Sequence, residues 1–349
     1  ARKAAVKAVK KDAVAELVPE PKDLFDPKAK HEYETKVEAV KGALGKLEKA
    51  TIRQMIVKDA KRVDGRGLKD IRPIDVRLGL LPRVHGNAVF TRGETQAMVT
   101  CTLGTKDNEQ MVEGLSETVY ERFMLHYNFP PYSVNEVKRP GGPGRRELGH
   151  GMLAQRALTP LVPSAERFPY TIRIISDTME SNGSSSMAAV CGGSLAMFDA
   201  GVPLRSHVAG IAMGLVQEGK DIAILSDILG DEDHVGDMDF KVTGTDRGIT
   251  ALQMDIKITG LSKELMSNAL DQAREGRLHI LKTMEEAIDK PGALSKYAPR
   301  VKMVKINPDK IGAVIGTGGK MIRSIEATTS CKVDIGEDGT IRIYGPDRD

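Results

Sequence analysis

Four stretches of this 349-residue chain gather side chains able to handle phosphate or a metal ion. In DEDHVGDMDFK (231–241), five carboxylates, a histidine and a lysine fall within eleven positions. Asp237, Asp239 and Lys241 alternate there with Met238, Phe240 and Val242, so a strand would put the charges on one face and the apolar groups in the core. A calcium loop beginning at Asp231 needs an acid or Asn at 235 and Glu at 242, and both are valine. Two carboxylates and a lysine on a strand face suit magnesium or manganese held by few protein ligands, with substrate phosphate completing the shell. A sheet edge with solvated acids is the competing account, and alternation does not choose between them.

SNGSSSM (181–187) lies between a β-rich run and a helical one, so its hydroxyls would stand beside unpaired amides at a helix N-terminus, an anion cradle. A plain capping loop explains the same residues. RPGGPGRREL (139–148) reads as a loop in which Arg145 and Arg146 present planar forks suited to phosphate oxygens, or simply a solvated basic loop. In Gly316, Thr317, Gly318 and Gly319, followed by Lys320, an exposed glycine turn opens a helix, so backbone can approach a sugar-phosphate chain closely. A Walker loop is excluded because position 314 is Val314, and a dinucleotide fingerprint fails at Met321.

The elements that must position these residues follow from texture. Residues 1–60 are rich in Ala, Lys and Glu, with apolar positions three and four apart, which predicts helices separated by Pro19, Pro21 and Pro27. From RVDGRG onward the chain turns to short β-branched runs broken by Gly and Pro: IRPIDVRLGLL, NAVFTRGETQAMVTCTLG, YTIRIISDTME, DIAILSDIL, DFKVTGT and ALQMDIKITG. Helical patterns at 186–200 and 262–288 lie among them, giving an α/β or α+β domain over 61–290. Residues 291–300 read as a linker. The last fifty run strand, helix, glycine turn, helix, strand, strand.

Composition narrows the classes. A net charge of +3 does not announce a polyanion partner, and 4% aromatic residues argue against a binder that works by stacking bases. Three dispersed cysteines give neither a disulfide framework nor zinc spacing, which points to a reducing compartment. No apolar run approaches the ~20 residues that span a bilayer, and the basic N-terminus lacks a signal-peptide pattern, so no membrane partner is expected. Without an initiating methionine, the chain is expected to begin inside a longer polypeptide.

The C-terminal unit resembles a KH domain, whose GxxG loop clamps about four nucleotides of single-stranded nucleic acid. Upstream, FMLHYNFPPYSV, RRELGHG, SDTMESNGSSSMAAVCGGSLAMFDAGVP, AGIAMGL, LSDILGDEDHVGDMDFKVTGT and GITALQMDIKI occur in that order. With RVDGRG and FTRGETQA before them, they resemble the bacterial polynucleotide phosphorylases of the RNase PH superfamily. The resemblance implies an α+β chain: a helical segment (1–60), the second RNase PH-like core, a ribosomal-protein-type βαβ fold (61–290), a linker (291–300) and a KH domain (301–349) truncated after its third strand. It leaves the family's first core and its oligonucleotide-binding barrel outside this sequence.

Carried onto matching positions, the resemblance puts phosphate on Ser184, Ser185 and Ser186, with Arg145 and Arg146 on phosphate or the RNA 3′ end. Asp233 and Asp239 become the metal and catalytic carboxylates, assisted by Lys241. His150, Arg92 and the turn Gly316, Thr317, Gly318, Gly319 and Lys320 become RNA contacts. The implied activity is reversible 3′-to-5′ phosphorolysis of single-stranded RNA with inorganic phosphate as co-substrate and Mg2+, or Mn2+, as cofactor. Implied too are a homotrimeric ring for the full-length enzyme, a place in RNA degradation within a larger assembly, and a cytoplasmic location. Two rivals remain, a non-catalytic ring subunit of the exosome kind and a hydrolytic metal nuclease. The second would use more acids around a metal pair and no phosphate cradle.

Overall fold

The structure is a computed structural model that describes residues 2–23, 25–115, 117–139 and 141–345; the expected KH unit's last four residues, 346–349, lie outside it. Two helices open the chain, α1 (Arg2–Leu17) and α2 (Pro27–Asp59). Asp26 caps α2 by accepting from the Lys28 amide at 3.1 Å, and Pro27 takes the first position, where a missing N–H costs nothing. Lys10 Nζ lies 2.5 Å from Glu48 Oε2, tying α1 to α2. Near the end of α2, Ile52 and Ile56 turn inward and share a buried cluster with Ala212, Val216, Ala223 and Val235. That contact fixes α2 to the body of the protein, and it brings Arg53 to the acidic stretch nearly two hundred residues away.

The body contains β1 (Ile74–Leu78), β2 (Gly86–Arg92), β3 (Thr95–Gly104), β4 (Gln110–Glu113), β5 (Thr118–Glu121), β6 (Phe123–Asn128), α3 (Arg145–Leu158), β7 (Thr171–Glu180) and α4 (Ser185–Asp199). It continues with β8 (Ala209–Glu218), β9 (Asp221–Ser226), α5 (Gly230–Val235), β10 (Met238–Gly244), β11 (Ile249–Ile256) and α6 (Lys263–Ala287). One sheet has the order β1-β2-β3-β7-β6, antiparallel except for the parallel β6–β7 pair. A second, β11-β10-β8-β9, is antiparallel throughout, and β4 and β5 pair with each other in a separate two-stranded sheet. Helix α4 lies against the two larger sheets, and every residue from Ser185 to Phe198 is buried. A helix apolar all round has to be a core helix, and here it joins the two sheets into one hydrophobic interior.

Three local expectations change. The 139–148 stretch is not a loop throughout, because Arg145 begins α3: the Gly144 amide donates to Glu147 Oε2 at 2.7 Å, a capping arrangement that starts the helix. Residues 230–235, between the apolar run DIAILSDIL and the strand that carries Asp239, form a short helix, α5, which the sequence texture does not predict. The run NAVFTRGETQAMVTCTLG folds back at Gly93 and Glu94 into the β2–β3 hairpin.

The last unit orders β12 (Arg300–Lys305), α7 (Ile311–Ile315), α8 (Lys320–Thr329), β13 (Lys332–Ile335) and β14 (Thr340–Gly345) into a sheet β12-β14-β13 with both helices. Tyr344 rests it on the body, its hydroxyl donating to the Pro169 carbonyl at 3.2 Å. Among the described residues no helix is long and apolar enough to cross a membrane.

Candidate active site

The β7–α4 connection carries the serines. Gly183 at φ +100° and Ser184 at φ +48° take left-handed conformations, so the chain turns sharply before α4 begins at Ser185. Gly183 has no substitute, since a Cβ would stand 2.4 Å from the Ile228 carbonyl oxygen. That close approach presses the serine turn against the connection leading to α5 and the acidic residues. The side chains of Ser184 and Ser186 end in buried oxygens that have no hydrogen-bond partner among the described residues. Ser185 Oγ lies 2.6 Å from the Tyr127 hydroxyl on β6.

Beneath this turn sits Asp227, wholly buried and itself at φ +51°. Arg72 donates to it from Nε (2.8 Å) and Nη2 (2.7 Å), and Arg92 Nε lies 2.6 Å from its Oδ1. Burial raises the cost of the Asp227 charge, but Arg92 and Arg72 outweigh it and hold the carboxyl well below its ordinary range. The same arginines then reach the serine turn from below. Arg92 Nη2 donates to the carbonyls of Gly183 (3.0 Å) and Ser184 (3.1 Å), and Arg72 Nη1 to that of Asn182 (2.7 Å). Arg92, expected among RNA contacts, is 0% exposed. Its guanidinium faces the interior, and it shapes the turn from within.

The acids of the opening stretch sort by partner. Glu232 is buried against Arg62, which donates to it from Nε at 2.8 Å, and it caps its own helix by accepting from the Leu229 amide. Asp237 is held by both Nη atoms of Arg53, at 2.8 and 2.9 Å; burial opposes its charge, yet Arg53 keeps the carboxyl below the usual range. Of the others, Asp239 and Asp233 face lysines. Asp239 pairs with Lys241 on β10, both largely enclosed. Asp233, on α5, has its carbonyl bonded by Lys257 Nζ at 2.6 Å and its carboxylate 3.8 Å from the same ammonium.

Helix α3 closes the arrangement. Arg145 and Arg146 are exposed in its first turn, and one turn later His150 meets the Tyr127 ring edge-on, 5.4 Å between centroids. Burial pushes the His150 imidazole down to about 4, and the Lys241 and Arg146 cations push the same way against Asp239 and Glu147. His150 is therefore neutral at pH 7 and stands within the field of both α3 and β10. The site thus draws Arg146 and His150 from α3, Tyr127 from β6, Ser185 from α4, and Asp239 and Lys241 from β10. The turn Gly316–Lys320 sits apart, between α7 and α8 of the last unit.

Among the described residues no three His, Cys, Asp or Glu side chains gather as a metal cage. Asp239 on β10 and Asp233 on α5 each offer hard carboxylate oxygens, the donor type that magnesium or manganese takes while completing its shell with water and phosphate oxygens. Tyr127, Arg72 and Asp227 were not singled out from the sequence. Nothing in their local pattern marks them, because their roles come from partners far along the chain.

This geometry defines an RNase PH-type core followed by a KH unit. The sequence models agree: residues 70–203 match the 3′ exoribonuclease family, domain 1, residues 300–349 the KH domain, and residues 1–67 the RNA binding domain of polyribonucleotide nucleotidyltransferase. Over most of its length the chain is similar to proteins named polyribonucleotide nucleotidyltransferase. A protein of that name from Rhizorhabdus wittichii is 56% identical over 98% of this chain and 44% of its own length. Another from Sphingopyxis alaskensis is 62% identical over 87% of this chain and 40% of its own length. The chain thus spans less than half the length of these relatives. A crystal structure of rice (Oryza sativa) Rrp46 shares the fold over 65% of this chain and 99% of its own, with a TM-score of 0.52 at 18% identity.

Proposed function

We propose that this chain carries the phosphorolytic centre of a 3′-to-5′ exoribonuclease. The observation that carries the reading is the pair of buried, unpartnered hydroxyls of Ser184 and Ser186, in a turn held against the connection that leads to Asp233 and Asp239. Buried polar groups are almost always paired, so two orphans at a helix N-terminus are what a bound anion would satisfy. Division of the chain at 1–60, 61–290, 291–300 and 301–349 goes with this reading.

Inorganic phosphate would lie on Ser184, Ser185 and Ser186 and the first amides of α4. Arg145 and Arg146 would hold phosphate or the RNA 3′ end from the outer side. In the reaction a phosphate oxygen bonds to the terminal phosphorus while the bond to the penultimate 3′ oxygen breaks. A nucleoside diphosphate leaves, and the 3′ oxygen takes up a proton; the reverse step polymerises diphosphates. No protein nucleophile takes part. Catalysis rests on holding two anions in line and offsetting the charge that develops between them.

Asp233 and Asp239 would hold Mg2+, with Mn2+ as the alternative, and when bound the cation supplies charge neutralisation between the two phosphates. Lys241 keeps Asp239 in place and lies where charge builds up. His150 meets RNA as a neutral hydrogen-bonding group, and Gly316 to Lys320 clamp the single strand further along. In a longer polypeptide, such cores would form a cytoplasmic homotrimer within an RNA-degradation assembly.

The test is incubation with RNA bearing a single-stranded 3′ end and magnesium, with and without inorganic phosphate. Nucleoside diphosphates should form only when phosphate is present. Monophosphates in either tube would replace phosphorolysis with hydrolysis.

A further inference from the structure

We propose that Tyr127 is a positioning residue for inorganic phosphate, acting through the Ser185 hydroxyl. The inference rests on the phosphate-site reading above and deepens it.

The three serines of the turn are not alike. Ser184 and Ser186 end in unpartnered oxygens, whereas Ser185 Oγ lies 2.6 Å from the Tyr127 hydroxyl. A serine hydroxyl carries one proton and two lone pairs, so alone it has no fixed polarity. A phosphate ion is chiefly an acceptor, and it needs the serine proton directed towards it. When Tyr127 donates to a Ser185 lone pair, that lone pair is occupied and the serine proton is left for the anion. Each donation also polarises the next one, so the chain from tyrosine to serine to phosphate strengthens along its length.

The surroundings of Tyr127 suit a fixed donor. Its side chain is 4% exposed, its ring meets His150 edge-on, and Phe129 stacks on it with centroids 6.4 Å apart. Burial raises the phenol above its ordinary range, against the pull of Ser185 and Thr178, so the proton stays on oxygen at neutral pH. No torsional search is needed when phosphate arrives. The tyrosine hydroxyl does not reach the reacting phosphorus in this account; its effect passes through Ser185 alone.

That restriction makes the proposal testable by a double-mutant cycle. The probe is inorganic phosphate titrated by calorimetry, in magnesium, into the chain and into Tyr127→Phe, Ser185→Ala and the double variant. Phenylalanine keeps the ring packing on His150 and Phe129, so the fold is retained, and the thermal midpoint reports this directly. Tyr127→Phe should weaken phosphate binding by roughly two- to tenfold, the range of one hydrogen bond between neutral groups. The double variant should bind as Ser185→Ala does, within about twofold, because a group acting through Ser185 has nothing to act on once that hydroxyl is gone. Single-stranded RNA affinity should not change in Tyr127→Phe. Unchanged phosphate affinity in Tyr127→Phe, or effects that multiply in the double variant, would overturn this role alone. Absence of phosphate binding by the unaltered chain would overturn the phosphate-site reading, and this role with it.

Discussion

Arg92 Nε and Asp227 Oδ1 lie 2.6 Å apart, with neither side chain exposed by more than 1%. This pair is the floor of the serine turn, since the other side of the Arg92 guanidinium bonds the carbonyls of Gly183 and Ser184. Asp227→Ala would leave Arg72 and Arg92 buried without their anion. Loss of one partner from a buried pair costs about 3–5 kcal/mol, so urea unfolding should show a destabilisation of that size. A loss below about 1 kcal/mol would mean the arginines find other acceptors, and the turn does not depend on this carboxylate.

How far the sequence reached is clearest in the same region. Period-two alternation placed Asp239 and Lys241 together on a strand, and β10 has them there, because alternation is a local property of the pleat. The fate of Asp237 was not local: Arg53, which binds it, lies on a helix 184 positions earlier. The same holds for Asp227, in sequence one acid after an apolar strand, in the fold the point on which arginines from distant segments converge. Two local errors have different causes. The start of α3 was hidden by the Gly and Pro run before it, although the Glu three residues after Gly144 was a readable capping signal. Helix α5, at six residues, is too short for a helical period to show.

Asp239 pairs with Lys241 and is proposed to hold the cation. Asp239→Asn removes the charge while keeping nearly the same shape. Turnover should fall by about a hundredfold or more, the scale of losing one preorganised charge at a reacting phosphate. RNA affinity, carried largely by the glycine turn and the arginines, should change by less than about threefold. Single-turnover rates and filter binding separate the two. Full activity would remove Asp239 from the site.

His150 offers a pH readout that does not depend on turnover. Its imidazole titrates at about 4 in the folded chain against 6.5 ordinarily. The unfolded chain therefore binds more protons between those values, so this group's contribution to stability is complete above about pH 6.5 and is lost as the pH falls towards 4. An NMR titration of the His150 ring should show the low midpoint. Lys241→Met, which removes a cation that disfavours protonation, should raise it, and Asp239→Asn should lower it further. A midpoint near 6.5 in the unaltered chain would mean that His150 is neither buried nor in the field of β10.

The glycine turn of the last unit separates binding from chemistry. Gly316, Gly318 and Gly319 all have positive φ, and nothing stands within 4 Å of a Cβ built on Gly318. Bulk at Gly318 is thus tolerated by the fold, and the strain of +61° is modest for a residue that enters the left-handed region readily, as aspartate does. Gly318→Asp should leave the thermal midpoint nearly unchanged while placing a carboxylate where the clamped phosphates would run. Affinity for a long single-stranded RNA should drop by about tenfold, and more steeply at low salt, where repulsion is least screened. Phosphorolysis of an oligonucleotide too short to reach the turn should continue at the original rate. Gly318→Ala separates the two causes: if alanine weakens binding as much as aspartate, backbone conformation governs the clamp, and if it binds like the unaltered chain, charge does. Equal long-RNA affinity in all three proteins would show that the turn takes no part in holding RNA.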